Sequence, residues 1–489
     1  INANNTVCQT FTVGANLVGT YTIGTLNAGN ARNYLTFSDA VNDLYKKGVS
    51  GNVTFELTDA SYSIGNGTAG LPALDLTTKI IGGGPNASIT FKPSLQRSLA
   101  KGSITITLNS GNGTGILFGQ SILSTNPNAV QFEFQRDPTW SNTNGYITFD
   151  GGSQKSIIVQ LQATTPFRAP FYLGDGSHNI SLKNLVIRNA PQSVASYEAN
   201  LPIVSFISNS FAFQADTRTQ GAQTLTYSAG IVSRQKLPSG RDGNNSERLD
   251  TVRGTNNTYV GNEISGFGYG VVSLGIGVAI KGGINQFQPY YSTGTLVRDN
   301  IISNVRRAGV FVGYEDGVRI LRNKIYNVGT QSTGGSNVDA AGIIIGGETR
   351  YHNINTTVDG NEISNVTGDL WARGVKVEQA RNIFPSVGSG GSILFPQSPE
   401  NTTVMNNSIW NLRRSTATTN MAGVHFLTGR NTSLTGVNQL LTPASNTSTY
   451  FTRNDKILNN TIVMVDDNVA GSGIVTAVGV QHADRKSVV

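Results

Sequence analysis

In 489 residues the chain has one cysteine, four histidines, three methionines and three tryptophans, and only 13% of its residues are charged. Each scarcity removes a class of protein. A lone cysteine, Cys8, cannot close an internal disulfide, so the fold must hold without cross-links, and the thiol is left free or available to another subunit. The histidines, His178, His352, His425 and His482, form no spaced pair of the kind zinc sites use. No apolar run approaches the roughly 20 residues of a membrane-spanning helix, so no membrane span is expected. Lysine and arginine exceed aspartate and glutamate by 36 to 29, a formal charge of +7. These cations are scattered, and the doublets Lys46-Lys47, Arg306-Arg307 and Arg413-Arg414 read as solvated turn residues. No nucleic-acid partner is expected.

What is plentiful is glycine, 57 residues in a chain that is 38% apolar and 8% aromatic, which suits short strands and turns better than helical layers. The strongest pattern is an asparagine that recurs seven times, most clearly as V-x-x-N-x-I-x-N. The best copies surround Asn300, Asn323, Asn361 and Asn407, with weaker ones at Asn184, Asn262 and Asn460. Each leads to a glycine and an apolar strand, as in Gly309-Val310-Phe311-Val312, Gly342-Ile343-Ile344-Ile345, Gly374-Val375-Lys376-Val377 and Gly423-Val424-His425-Phe426. Such a unit cannot bury its apolar face alone and must stack on copies of itself. Asparagine tolerates the left-handed conformation of a sharp turn, and its amide both donates and accepts, so stacked turns can bond in a ladder. Length alone suggests about three domains, but a solenoid grows lengthwise and escapes that count.

With these motifs the chain resembles the right-handed parallel β-helix superfamily, in which coils carry asparagine ladders. The resemblance runs from about residue 180 onward and implies an all-β solenoid; it implies no one function, because the scaffold hosts lyases, hydrolases, adhesins and structural proteins. The opening residues add to it. Tyr21-Thr22-Ile23-Gly24 reads as a strand, Thr36 and Asp39 as the capping box of a short helix with an apolar stripe of Phe37, Ala40, Val41 and Leu44, and Gly48 as its stop. Val53, Phe55 and Leu57 then alternate as a strand. This order is similar to the start of secreted β-helix proteins of the Bacteroidota and Chlorobi lineages, where the helix caps the solenoid. The expected division is residues 1–60 as a strand segment with a capping helix and 61–489 as the β-helix, with long loops at about 190–255, 276–294 and 380–400. A start at Ile1 suggests that a targeting segment has been removed, and a secreted or cell-surface location is expected. Asn-x-Ser/Thr triplets at Asn52, Asn86, Asn256, Asn355 and Asn401 are weak signs of glycosylation.

Chemistry is harder to find. Asp466-Asp467 is the only acidic pair in a strand-like setting, and no Gly-His-Gly accompanies it, so the paired carboxylates of a hydrolase are missing. The best set for a lyase is Arg373, Lys376 and Glu378, projecting outward beside Asp359 and Glu362, with calcium as the implied cofactor. The plainer reading is an exposed charge pair on a solvated strand. His425 alternates with core residues and reads as an outward surface side chain. Glu263 and Glu362 share a slot in two coils, but Ile301 and Lys324 occupy it between them. The leading expectation is therefore a structural protein without cofactor. It would assemble head-to-tail into a filament or surface layer through an N-terminal stretch containing Cys8, Phe11, Val13, Tyr21 and Ile23, because the C-terminal coil lacks an evident cap. The alternatives are a polysaccharide lyase or glycoside hydrolase acting on acidic polysaccharide, and a glycan-binding adhesin.

Overall fold

The computed structural model describes residues 15–119, 144–163, 168–174, 176–189, 228–234, 253–275, 277–281, 286–329, 339–346, 353–368, 371–378, 401–415, 419–427, 454–464 and 473–481. Within them the chain coils into a right-handed parallel β-helix with one α-helix. Ten strands define the first face and number the coils: Val49–Leu57, Ile89–Pro93, Ile147–Asp150, Ser181–Lys183, Thr258–Val260, Leu296–Arg298, Arg319–Leu321, Thr357–Asp359, Thr403–Met405 and Lys456–Leu458. Each pairs in parallel with the next. The second and third faces join into one eighteen-stranded sheet, because in coils five and six a single long strand, Glu263–Leu274 and Ile301–Gly313, serves both.

Period-two alternation builds the core. In Ile104–Ser110 every second residue is buried, so each strand points one row inward and the rows stack along the axis. The aromatic row of the early coils is an example, with Phe55, Phe91 and Phe149 at centroid separations of 5.0 and 4.6 Å. Helix Phe37–Lys47 closes the first coil. The Thr36 hydroxyl accepts from the Asp39 N–H at 3.1 Å while the Asp39 carboxylate accepts from the Thr36 N–H at 3.2 Å, which satisfies two donors that a helix start leaves open. Gly48 takes φ 67° and donates its N–H to Leu44. Phe37, Ala40, Val41 and Leu44 are buried as the stripe predicts.

The strand Leu17–Ile23 pairs with Val49–Leu57, Tyr21 opposite Phe55 and Ile23 opposite Leu57, and both side chains are buried. Tyr21 and Ile23 thus belong to this chain's own core and do not form a free donor segment. Cys8, Phe11 and Val13 lie outside the described residues. Parallel stacking also begins inside residues 1–60 instead of at 61, since Val49–Leu57 already pairs with Ile89–Pro93.

The turns carry a second regularity. Asn179, Asn256, Asn355, Asn401 and Asn454 precede the first face, and each has a positive φ between 51° and 59°. Three of these begin Asn-x-Thr triplets, at Asn256, Asn355 and Asn401. The asparagine makes the left-handed turn, the next residue (Asn257, Thr356 or Thr402) is buried, and the threonine opens the strand. The amides are engaged with one another: Asn401 donates to Asn355 at 2.9 Å and Asn355 to Asp316 at 2.7 Å. Turn geometry accounts for these triplets. The Arg306-Arg307 doublet is also not a solvated turn; it lies within the strand Ile301–Gly313 and is buried.

Candidate functional site

The asparagine column is the first cluster the fold assembles. Between the first and second faces, Asn262, Asn300, Asn323, Asn361, Asn407 and Asn460 follow one another coil by coil. Each Nδ2 donates to the next Oδ1, at 3.0, 2.9, 3.0, 2.9 and 2.8 Å. The same Oδ1 accepts the backbone N–H of the asparagine before it, at 2.9 to 3.0 Å. Every Nδ2 also reaches a main-chain carbonyl of the coil before, for example Val297 O from Asn323 at 3.0 Å. All but Asn460 are buried. Two expectations are corrected. Asn184 is not part of the column: Leu185 holds that slot and donates its N–H to Asn262 at 3.0 Å, while Asn184 sits one residue earlier and bonds Asp150 at 3.1 Å. The column asparagines also do not make the left-handed turn themselves. The preceding residue does, namely Asn184, Gly261, Asp299, Arg322, Gly360, Asn406 and Asn459. This column is a structural spine, since its polar atoms are consumed by one another.

The third face holds the second cluster. Its glycines are dictated by space: a Cβ on Gly309 would lie 2.5 Å from the Ile325 Cγ2, and Gly270, Gly342, Gly374 and Gly423 meet Ile302, Ile363, Ile409 and Ile462 in the same way. The inward row after them is apolar, as in Val310, Ile343, Val375 and Val424. The alternate row points outward and is nevertheless buried, running in register through Tyr172, Val232, Val272, Phe311, Ile344, Lys376 and His425. Five apolar residues thus give way to two polar ones in coils eight and nine.

Around that change five side chains gather. Arg373 stacks on the Trp371 ring, its guanidinium carbon 4.1 Å from the centroid, and its Nε donates to His425 Nδ1 at 2.9 Å. With Nδ1 accepting, the His425 proton sits on Nε2. The Trp371 and His425 rings lie 4.6 Å apart. Lys376 and Glu378 form an ion pair at 2.9 Å. Arg373, Lys376, Glu378 and His425 are each no more than 3% exposed, whereas Trp371 is half-buried and open to solvent.

The expected solvated charge pair is therefore a buried assembly, and His425, read as a surface residue, belongs to it. A signal existed: Gly342-Ile343-Ile344-Ile345 is apolar in both rows, which marks a strand covered on both sides, and Lys376 and His425 occupy the register of Ile344. The companions proposed for a lyase are elsewhere. Asp359 accepts from Asn406 at 2.9 Å on the first face and Glu362 lies 3.9 Å from Lys324 on the second, so neither joins Lys376. Lys376 pairs instead with Glu378 on its own strand. Glu263 meets Lys101 and Lys155 at 2.6 and 3.1 Å. Burial pushes its carboxyl up, but the two lysines outweigh this and hold it below its ordinary value. Among the described residues no group of histidines, cysteines and carboxylates is arranged to hold a metal. Asp466-Asp467 lies outside them.

The long stretches of sequence between strands bracket this same face. They fall before the third-face strand, at residues 190–228 and 329–338, or after it, at 119–146, 235–257, 379–402 and 428–455. No protein-family profile matches the chain, and no curated protein matches it. Among solved structures, the pneumococcal surface adhesin PfbA of Streptococcus pneumoniae is 12% identical with a TM-score of 0.41, covering 87% of this chain and 86% of that one. A mutant of the periplasmic alginate epimerase AlgG is 10% identical, TM-score 0.34, covering 89% and 72%. The catalytic domain of a GH87 α-1,3-glucanase is 12% identical, TM-score 0.30, covering 95% and 70%. The assignment of the solenoid rests on the strand pairing itself.

Proposed function

We propose that this protein is a glycan-binding β-helix of the cell exterior, and that coils eight and nine of the third face carry its recognition site. The observation that supports this reading is the replacement of an apolar outward row by the Trp371–Arg373–His425 assembly with the Lys376–Glu378 pair beside it. Buried charge is costly to keep, and the other coils of this outward row dispense with it. A half-buried indole held in place by a stacked guanidinium suits a sugar: the part of the ring open to solvent covers the apolar face of a pyranose, and the buried Arg373 and His425 fix its orientation. In sequence the long stretches directly precede or follow the strands of this face, and in solenoids such insertions are where binding loops gather. Recognition is favoured over cleavage because no second carboxylate and no free base accompanies the cluster among the described residues. Neutral and anionic polysaccharides on an array are the test. Binding that Trp371→Ala lowers at least tenfold supports the reading, and equal binding by that variant overturns it.

A second reading, assembly through stacked coils, has its own observation. Val478 is 44% exposed in the tenth coil, while Val424, its partner one coil earlier, is fully buried; Ile474, Val475 and Val463 are exposed with it. A coil stacked on this end, from another subunit or from further sequence of the same chain, would bury them. Sedimentation over a wide concentration range tests this: a single monomeric species throughout removes it.

A further inference from the structure

Among the described residues, one carboxylate is enclosed within the solenoid between its coils. Glu315 is fully buried and lies at the turn between the sixth and seventh coils, paired in register with Ser292. The inward row it meets runs through Leu173, Ser233, Ser273, Val312, Ile345, Val377 and Phe426. Serine replaces an apolar residue at Ser233 and Ser273, in coils four and five, and nowhere else in that row. Ser273 donates to one carboxyl oxygen. The other, Oε2, makes no well-formed hydrogen bond, and neither do the Tyr259 hydroxyl and the Ser292 Oγ; the hydroxyls of Thr295 and Ser233 stand beside Glu315 and Tyr259, and Tyr259 is fully buried.

We propose that Glu315 is a proton-dependent joint of the solenoid: protonated, it lets coils five to seven close on one another, and ionised, it loosens them. An ionised carboxylate in this setting has one donor from Ser273, the hydroxyl of Thr295 nearby and no cation among the described residues; a protonated one gains an O–H with which to bond an oxygen. The groups that face it are Ser273 from coil five, Thr295 and Ser292 from coil six, Tyr259 from the first face of coil five, the neighbouring charge of Asp316, and Asn353, whose Oδ1 accepts the Glu315 N–H at 3.0 Å. Burial, with Asp316 adding to it, lifts the carboxyl from 4.5 to about 7, against the opposing hydrogen bonds of Ser273 and Thr295. The folded state therefore holds a proton that the unfolded state releases near 4.5. Its stabilisation is complete at low pH and fades as pH rises through about 7.

Hydrogen exchange on the whole chain, corrected for intrinsic rates, reads the local opening of Val271–Leu274 and Val310–Gly313. Between pH 5 and 8 opening in the wild type should rise by about two orders of magnitude relative to Glu315→Gln, which keeps the shape and cannot ionise, at tenfold per pH unit within the window. Equal pH dependence in the two proteins, or none in the wild type, overturns the proposal. If Glu315→Gln does not fold, Ser273→Ala decides: losing a donor to the carboxylate must move the midpoint to higher pH, and an unmoved midpoint refutes the assignment.

Discussion

Replacing Asn323 by alanine removes the middle of the asparagine column, and the structure shows what is stranded. Asn323 Oδ1 accepts both the Asn300 N–H at 3.0 Å and Asn300 Nδ2 at 2.9 Å, and its own Nδ2 serves Val297 O and Asn361 Oδ1, each at 3.0 Å. After truncation Asn300 Nδ2 keeps Tyr259 O and Asn361 Oδ1 keeps the Asn323 N–H. The Asn300 N–H loses its acceptor, and Val297 O loses a donor, in a place water does not reach. An orphaned buried polar group costs about 1–3 kcal/mol, so the substitution should cost about 2–4 kcal/mol. Asn460 is the internal control, being the half-buried end of the column, where water can replace its bonds; Asn460→Ala should cost about 1 kcal/mol or less. Because stacked coils interact mainly with neighbours, hydrogen exchange around coils six and seven is a better assay than a global melt. Equal costs for the two variants, or a cost at Asn323 below about 0.5 kcal/mol, would refute the reasoning.

Other outcomes follow from particular contacts. Gly309→Ala places a Cβ against Ile325 and the Gly342 carbonyl and should destabilise by about 1–3 kcal/mol in urea titrations. Expressed in a glycosylating host, the protein should show by mass spectrometry no sugar on Asn355 or Asn401, whose amides are held in the turn column. Glu263→Gln should cost under about 1 kcal/mol at neutral pH, since the pair with Lys101 and Lys155 is partly exposed. The depressed Glu263 value makes that contribution present above about pH 4.5, lost as pH falls, and absent in the variant's acid titration.

The solenoid was legible because its repeat is written in residues with a geometric duty: the column asparagine, the glycine that an isoleucine crowds, and the apolar pair after it. The helical cap was legible for the same reason, as Thr36, Asp39 and Gly48 each satisfy a specific backbone need. Asn184 was misplaced because asparagine serves two adjacent positions, the left-handed turn and the column, and a weak motif does not distinguish them. The buried site was missed because alternation separates inward from outward but is silent on what covers the outward row. Lys376 and His425 read as solvent-facing, while the unbroken apolar runs of neighbouring coils marked that row as covered. Glu315 gave no motif at all, its setting being assembled from three coils.

The claim that the third face recognises a glycan meets its most direct test at Trp371. With Trp140 and Trp410 replaced by phenylalanine, Trp371 is the sole tryptophan of the chain, and its fluorescence reports on the ring that stacks with Arg373. Titration with a polysaccharide captured on the array should give a saturable change in that emission, abolished in Arg373→Gln. Binding seen by calorimetry with no change at Trp371 would contradict the account.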